Sequence, residues 1–261
     1  MQHNWKSLQF TDTKTEYFSI GHLHSWIKLK KDEVWIAYRL SDNSNTQSYG
    51  PSQVPEDVEW TRWALKNDVS RLSVLPVLPD LPVMVYPEYP LKIAAGAKIR
   101  IFTRVALWVR IQTDEKEPVI ICEMPTMFSS KTWFGSRYDG ELCYSATTKT
   151  RRALSPDTYE SHLINCAITI HNRSDKFLDF QSFCFRVGRL DVYSKENVLW
   201  SNETHIQFEG EDQLSEVVIS SKPPAEADGG KLITEAREKS NRNIASRTFN
   251  KIIKEIGIMG R

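Results

Sequence analysis

"HSWIKLKKDEVWIAYRL", His24 to Leu40, decides the architecture, because apolar and polar residues alternate on both sides of one polar break. Successive side chains of a strand point to opposite faces, so Ile27 and Leu29 share one face, as do Val34 and Ile36. The stretch reads as two strands around a turn from Lys30 to Glu33. The same period recurs along the chain in "KIRIFTRVALWVRIQ" (98–112), "EPVIICEMPTMF" (117–128), "HLINCAITIHN" (162–172), "FQSFCFRVGRLDVYS" (180–194), "NVLWSNETHIQFEG" (197–210) and "LSEVVISS" (214–221). β-Branched and aromatic residues dominate these runs, and turn residues bound them. The expected fold is all-β, with two antiparallel sandwich or barrel-like parts.

Three segments depart from that rhythm. "SQVPEDVEWTRWALKND" (52–68) places acids after Pro55 and then Trp60, Trp63 and Leu65, which predicts a short helix. Pro76, Pro79, Pro82, Pro87 and Pro90 punctuate the next stretch. Proline has no ladder N–H, so an extended edge or crossover is expected there rather than a central strand. In the last segment Ala245, Phe249, Ile252, Ile253 and Ile256 form one stripe at helical spacing. The expected organisation is a β domain over 1–152, an immunoglobulin-like sandwich part over 153–222, a linker over 223–230, and a basic amphipathic helix over 231–257.

Composition excludes several classes. Of 261 residues 40% are hydrophobic and 26% charged, an ordinary globular balance, and a net charge of +1 supplies no general attraction for nucleic acid. No basic-then-apolar leader opens the chain, and no apolar run approaches the roughly 18 residues of a spanning helix. Cys122, Cys143, Cys166 and Cys184 stand far apart with no C-x-x-C, which reads as reduced, buried thiols in a cytoplasmic protein. On that reading the two Asn-x-Ser/Thr matches, at Asn172 and Asn202, are chance. Lys231 to Arg261 carries +5, leaving −4 for the rest, and Arg242, Arg247 and Lys251 would line the basic face of the expected helix. Such a helix packs on its own sheet, docks on a partner, lies on a membrane surface or touches nucleic acid.

Glycine-rich nucleotide loops, hydrolase elbows and zincin motifs are absent, so no catalytic residues and no cofactor are expected. His22 and His24, in "GHLHSW", have metal-like spacing on a strand and make a metal-dependent enzyme one alternative. No third ligand is marked in the sequence, and alternation more simply makes them the polar face of a half-buried strand.

"KTWFGSRYDGELCYS" (131–145) is the richest stretch in recognition residues. Asp139-Gly140 signals a two-residue hairpin turn. That turn pairs Tyr138 with Glu141 and sets Gly135 opposite Tyr144, so that the ring covers the glycine. Trp133, Arg137 and Tyr144 then share a face that offers stacking and an anion fork. The competing expectation is that these side chains fill core.

The order of motifs, from "LPVMVYPEYPLKIAAGAKIRIFTRVALWVRI" through "KTWFGSRYDGELCYS" to "ITIHNRSDKFLDFQSFCFRVGRLDVYS" and "LWSN", resembles an uncharacterised prokaryotic family catalogued as domain of unknown function four-three-two. The resemblance runs over roughly residues 72–257 and implies no assigned reaction. Its members are sometimes encoded beside mechanosensitive-channel genes, which implies an accessory role. The resulting expectation is a non-enzymatic binding module acting on a protein partner, a membrane channel or its regulation among the candidates, with self-association as a further possibility. Trp133, Arg137, Tyr138, Asp139, Glu141 and Tyr144 would carry the contact. The alternative is a small-molecule or carbohydrate sensor built on Trp133, Arg137 and Tyr144.

Overall fold

The computed structural model describes residues 5, 7–9, 15–30, 32–41, 50, 53–66, 69–138, 140–154, 159–238, 243–246 and 248–249. Among these the chain forms strands joined by turns and two short 3₁₀ segments. The strands of the first part are β1 (Ser7–Gln9), β2 (Glu16–Ile20), β3 (Leu23–Lys30), β4 (Glu33–Leu40), β5 (Thr61–Ala64), β6 (Arg71–Val77), β7 (Val83–Pro87), β8 (Leu91–Ile93), β9 (Lys98–Ala106), β10 (Trp108–Thr113) and β11 (Ile120–Pro125). Then come β12 (Lys131–Phe134), β13 (Glu141–Thr150), β14 (Leu163–Asn172), β15 (Leu178–Phe180), β16 (Phe183–Phe185), β17 (Val192–Lys195), β18 (Val198–Ser201), β19 (Thr204–Phe208), β20 (Ser215–Ile219), β21 (Lys231–Thr234) and β22 (Asn243–Ser246).

The opening stretch folds as its alternation dictates. β3 and β4 pair from Leu23↔Leu40 to Lys30↔Glu33 around a tight turn. They are the middle of the sheet β2-β3-β4-β5, which faces the sheet β1-β6-β10-β11. Between the two lies a core that includes Ile27, Leu29, Val34, Ile36, Leu72, Val109 and Ile111. A second core, including Val85, Ile164, Ile168, Phe180, Phe183 and Leu199, lies under the sheet β12-β13-β7-β16 and the large sheet β21-β17-β18-β14-β19-β20-β22, to which β9 adds alongside β14.

The all-β expectation is met, but the sheets are not wholly antiparallel. β13 runs parallel to β7, and β14 runs parallel to β18 and β19. Parallel neighbours require a long crossover, and here other strands supply it rather than helices. The long run 98–112 breaks at Leu107, which is fully buried, and its halves enter different sheets.

Three expectations are corrected. Residues 61–64 form β5 against β4 instead of a helix; Trp63 packs on the first core and Arg62 lies over the Trp35 ring. The proline-rich stretch supplies inner strands, β6 between β1 and β10 and β7 between β13 and β16. Its prolines sit where the ladder tolerates them: Pro76 lies beyond the end of the β1 pairing and Pro87 ends β7. No C-terminal amphipathic helix is present among the described residues. Lys231–Thr234 pairs with β17 and Asn243–Ser246 with β20. An isolated helix draws most of its stability from packing its apolar face. Here the open edges of β17 and β20 offer backbone partners, and Phe249 inserts among Phe180, Phe183 and Phe208. Residues 250–261 lie outside the described residues, as do Arg242, Arg247 and Lys251.

Candidate functional site

β13 stays paired with β7 to its last residue, Thr150, and its second half also runs along β9: Thr148 donates its hydroxyl hydrogen to the Arg104 carbonyl, and Arg151 bridges Phe102. This crossing leaves a cleft of about 370 Å³ between β9, the end of β13 and the turn before β14. Arg104, Lys149, Arg151 and His162 line it, with Glu160 as the one carboxylate among the described lining residues. Each cation is held by a different neighbour. Arg104 Nη1 stands 3.5 Å from Glu160 Oε1, Arg151 Nη2 is 2.9 Å from Glu88 Oε1, and Lys149 Nζ lies 4.9 Å from the centre of the Tyr86 ring.

His162 is nearly buried, with Nε2 3.1 Å from Met127 Sδ and 3.5 Å from Glu160 Oε2. Burial lowers its pKa below the ordinary 6.5; Glu160 opposes that shift, while His22 and Arg104 add to it. Its ring rests on Gly21, whose φ is +60° and where a β-carbon would meet the ring at 2.8 Å. The first sheet therefore buttresses the cleft from behind. A second opening, lined by Arg104, Ser129, Tyr144 and Ser145, shares Arg104 with it.

The hairpin 131–145 forms in a different register from the one its Asp-Gly pair predicts. Lys131 faces Tyr144, Trp133 faces Leu142 and Phe134 faces Glu141, so the connection runs from Gly135 to Gly140. Aromatic cover of a glycine does occur, but between other residues. The Trp133 indole donates to the Ser136 carbonyl at 2.9 Å and lies over Gly140, where a β-carbon would fall 2.2 Å from Nε1. The register is set by the other face, where Phe134 and Cys143 pack on Met84 and Cys184.

The three residues expected to share a face are divided. Trp133 is 53% exposed and Tyr138 97% exposed, and Arg137 is exposed with no charged partner among the described residues. Tyr144 is buried, donates to Asp80 Oδ1 at 3.1 Å and packs on Trp108. Burial, then Asp80, pushes its hydroxyl up to about 12. Glu141 pairs with Arg186, and Asp139 lies outside the described residues.

His22 and His24 do not form a chelating pair on one strand. His22 sits in the turn after β2, and its Nδ1 is buried without a partner. His24 is on β3, with Nδ1 2.8 Å from the Tyr17 hydroxyl and Nε2 2.9 Å from Ser41 Oγ. Among the described residues no group of three His, Cys, Asp or Glu side chains is placed to hold a metal ion, and no helix is long and apolar enough to cross a membrane.

Sequence reading missed the cleft because its residues come from four separate segments. The local signal was the run Lys149-Thr150-Arg151-Arg152, which reads as a polar boundary until β9 is seen beside it. Nothing among curated proteins and nothing among solved structures matches the chain. A family model does, over residues 4–254, and on that span the chain belongs to the family described as protein of unknown function DUF432.

Proposed function

We propose that this is a non-catalytic binding protein that takes an oxyanion-bearing small molecule into the cleft of Arg104, Lys149, Arg151 and His162. The observation that carries the reading is the convergence of three cationic side chains and a nearly buried histidine on one 370 Å³ cleft with a single carboxylate among its described lining residues. That volume lies within the range of small-molecule sites, and charge-assisted bonds to an oxyanion are the strongest contacts such a lining offers. Among the described lining residues the Thr148 hydroxyl is committed to the Arg104 carbonyl and the Lys149 ammonium lies on the Tyr86 ring, so recognition rather than turnover fits the chemistry. Calorimetric titration of the full chain with inorganic phosphate tests it. Saturable binding, weakened about tenfold or more by Arg151→Ala, is expected, since a charge-assisted bond contributes about 1.5 kcal/mol or more. Binding that is absent, or indifferent to Arg151→Ala and Lys149→Ala, removes the reading.

A second reading rests on the exposed Trp133, Tyr138 and Leu142 of the hairpin. Exposed Trp, Tyr and Arg side chains dominate binding energy at protein interfaces, and the Trp133 ring is already fixed on its own loop. A protein partner, a membrane channel among the candidates, would dock there. Retention of a mechanosensitive-channel subunit on the immobilised protein, lost in Trp133→Ala with Tyr138→Ala, supports this; equal retention by the variant refutes it.

A further inference from the structure

A second cavity, of about 310 Å³, lies where the outer face of β6 meets the edge of the large sheet at β17, β18 and β21. Its walls are apolar, formed chiefly by Trp5, Leu75, Leu199, Leu232 and Ile233. Trp5 belongs to both cores at once, packed against each of them. The cavity is therefore a gap at the seam between the two halves of the fold. It is distinct from the cationic cleft, since the two share no lining residue.

Of the polar side chains among the described lining residues, Lys231 and the Trp5 indole can only donate, while Ser73 and Ser194 carry hydroxyls that donate or accept. Lys231 lines it and makes no ion pair among the described residues. The indole N–H of Trp5 is buried and has no acceptor among the described residues. Ser194 adds a hydroxyl, while the hydroxyl of Ser73 is already committed to Asp114 Oδ1 at 3.1 Å. No carboxylate is among the described lining residues. Buried donors are satisfied in nearly all proteins, so an indole N–H left alone beside a cavity marks a place for an acceptor.

From apolar walls, a set of donors and an unpaired ammonium we infer that this seam binds an amphipathic carboxylic acid. Its chain lies against Leu75, Leu199 and Ile233 and its carboxylate meets Lys231 and the Trp5 N–H. An amine of the same length offers no acceptor to the Trp5 N–H and places a second cation beside Lys231, so it is rejected. A short acid such as acetate lacks the apolar body that gains from leaving water. The inference stands apart from the oxyanion cleft, and the two can fail separately.

The test uses the full chain and decanoate, with decylammonium as the opposite-headed control, followed by calorimetry and by the thermal midpoint. Decanoate is expected to bind saturably and to raise the midpoint, and decylammonium to do neither. Lys231→Glu should weaken decanoate binding at least tenfold, and Leu75→Trp, which fills the cavity, should abolish it. Because Leu75→Trp risks misfolding, Trp5→Phe is the second variant: it keeps an aromatic ring, though a smaller one, removes the N–H, and should weaken decanoate several-fold. Arg151→Ala should leave decanoate binding unchanged. The inference is overturned if decanoate fails to bind below the concentration at which it forms micelles, if decylammonium binds equally well, or if folded Lys231→Glu and Trp5→Phe bind decanoate as the parent does.

Discussion

The imidazole of His162 lies directly on Gly21, so that a β-carbon at position 21 would stand 2.8 Å from the ring and 2.7 Å from the Thr126 carbonyl. The same turn is tied down further, since His22 N–H donates to Thr126 O and Leu107 N–H donates to His162 O. Gly21 also holds a left-handed φ of +60°. Gly21→Ala should therefore cost about 1–3 kcal/mol, from backbone strain alone. It should also weaken phosphate binding in the cleft by displacing His162. Urea unfolding and phosphate titration of the variant check the two effects together.

Stability should fall as the pH drops below about 6.5. Burial lowers the folded-state pKa of both His24 and His162, with Arg39 and His22 adding to the effect at His24. Below the ordinary value the unfolded chain takes up protons at these positions while the folded chain does not, so the unfolded state gains. The loss begins near 6.5, continues down to the lowered folded values and is constant beyond them. Urea midpoints between pH 7.5 and 5.5 should show this decline, with a shallower slope in His162→Gln.

Neighbouring residues of β12 should respond oppositely to truncation. Phe134 is 2% exposed and packs on Cys143 and Cys184, whereas Trp133 stands on the solvent side. Phe134→Ala is expected to cost about 3–5 kcal/mol. Trp133→Ala should cost about 1 kcal/mol or less, one exposed hydrogen bond to Ser136. Chemical denaturation of both variants separates them, and a large loss for Trp133→Ala would show its ring to be structural.

Cys143 and Cys184 bring their sulfurs within 3.6 Å, yet they should not form a disulfide. β13 and β16 flank β7 on opposite sides, two ladder steps apart, roughly 9–10 Å. A disulfide tolerates a Cα separation of only about 7 Å. Burial raises the pKa of both thiols, which further slows their reaction. Intact mass after diamide treatment should be unchanged; loss of two hydrogens, abolished by Cys143→Ser, would overturn this.

Asn172 is fully buried and donates to the carbonyls of Ile93, Ala94 and Lys176 while accepting from Ser174. Asn172→Ala leaves those acceptors bare in the interior and should cost ~3 kcal/mol, measured by thermal or urea unfolding. The Asn-x-Ser match at this position is thus part of a loop clasp, and the Asn202 match is equally buried, with its amide on Asp191 and Ser220.

What the sequence disclosed followed the range of the interactions. The Lys30–Glu33 turn was legible because its strands are adjacent and their alternation is intact. The Asp-Gly signal at 139–140 lost to packing from elsewhere: burying Phe134 and Cys143 against Met84 and Cys184 fixes a register that the turn residues alone do not. The terminal segment misled for the same reason, since the edges that draw in Lys231–Thr234 and Asn243–Ser246 belong to strands far upstream. Arg104 and His162 acquired a shared role only when β9 paired with β14.

That pairing also dictates an order of events. β14 pairs with β9, from well before it, and with β18 and β19, which follow it, so its antiparallel and parallel ladders close at different times as the chain emerges. The antiparallel ladder can form once residue 171 is available, but the parallel one waits for residue 208. Phe249 then meets Phe180, Phe183 and Phe208 from near the end of the chain. Contacts of such long sequence separation make folding slow, so the aromatic socket stays open through most of synthesis. A chain released before Phe249 would present three phenylalanine rings to any chaperone or neighbouring nascent chain.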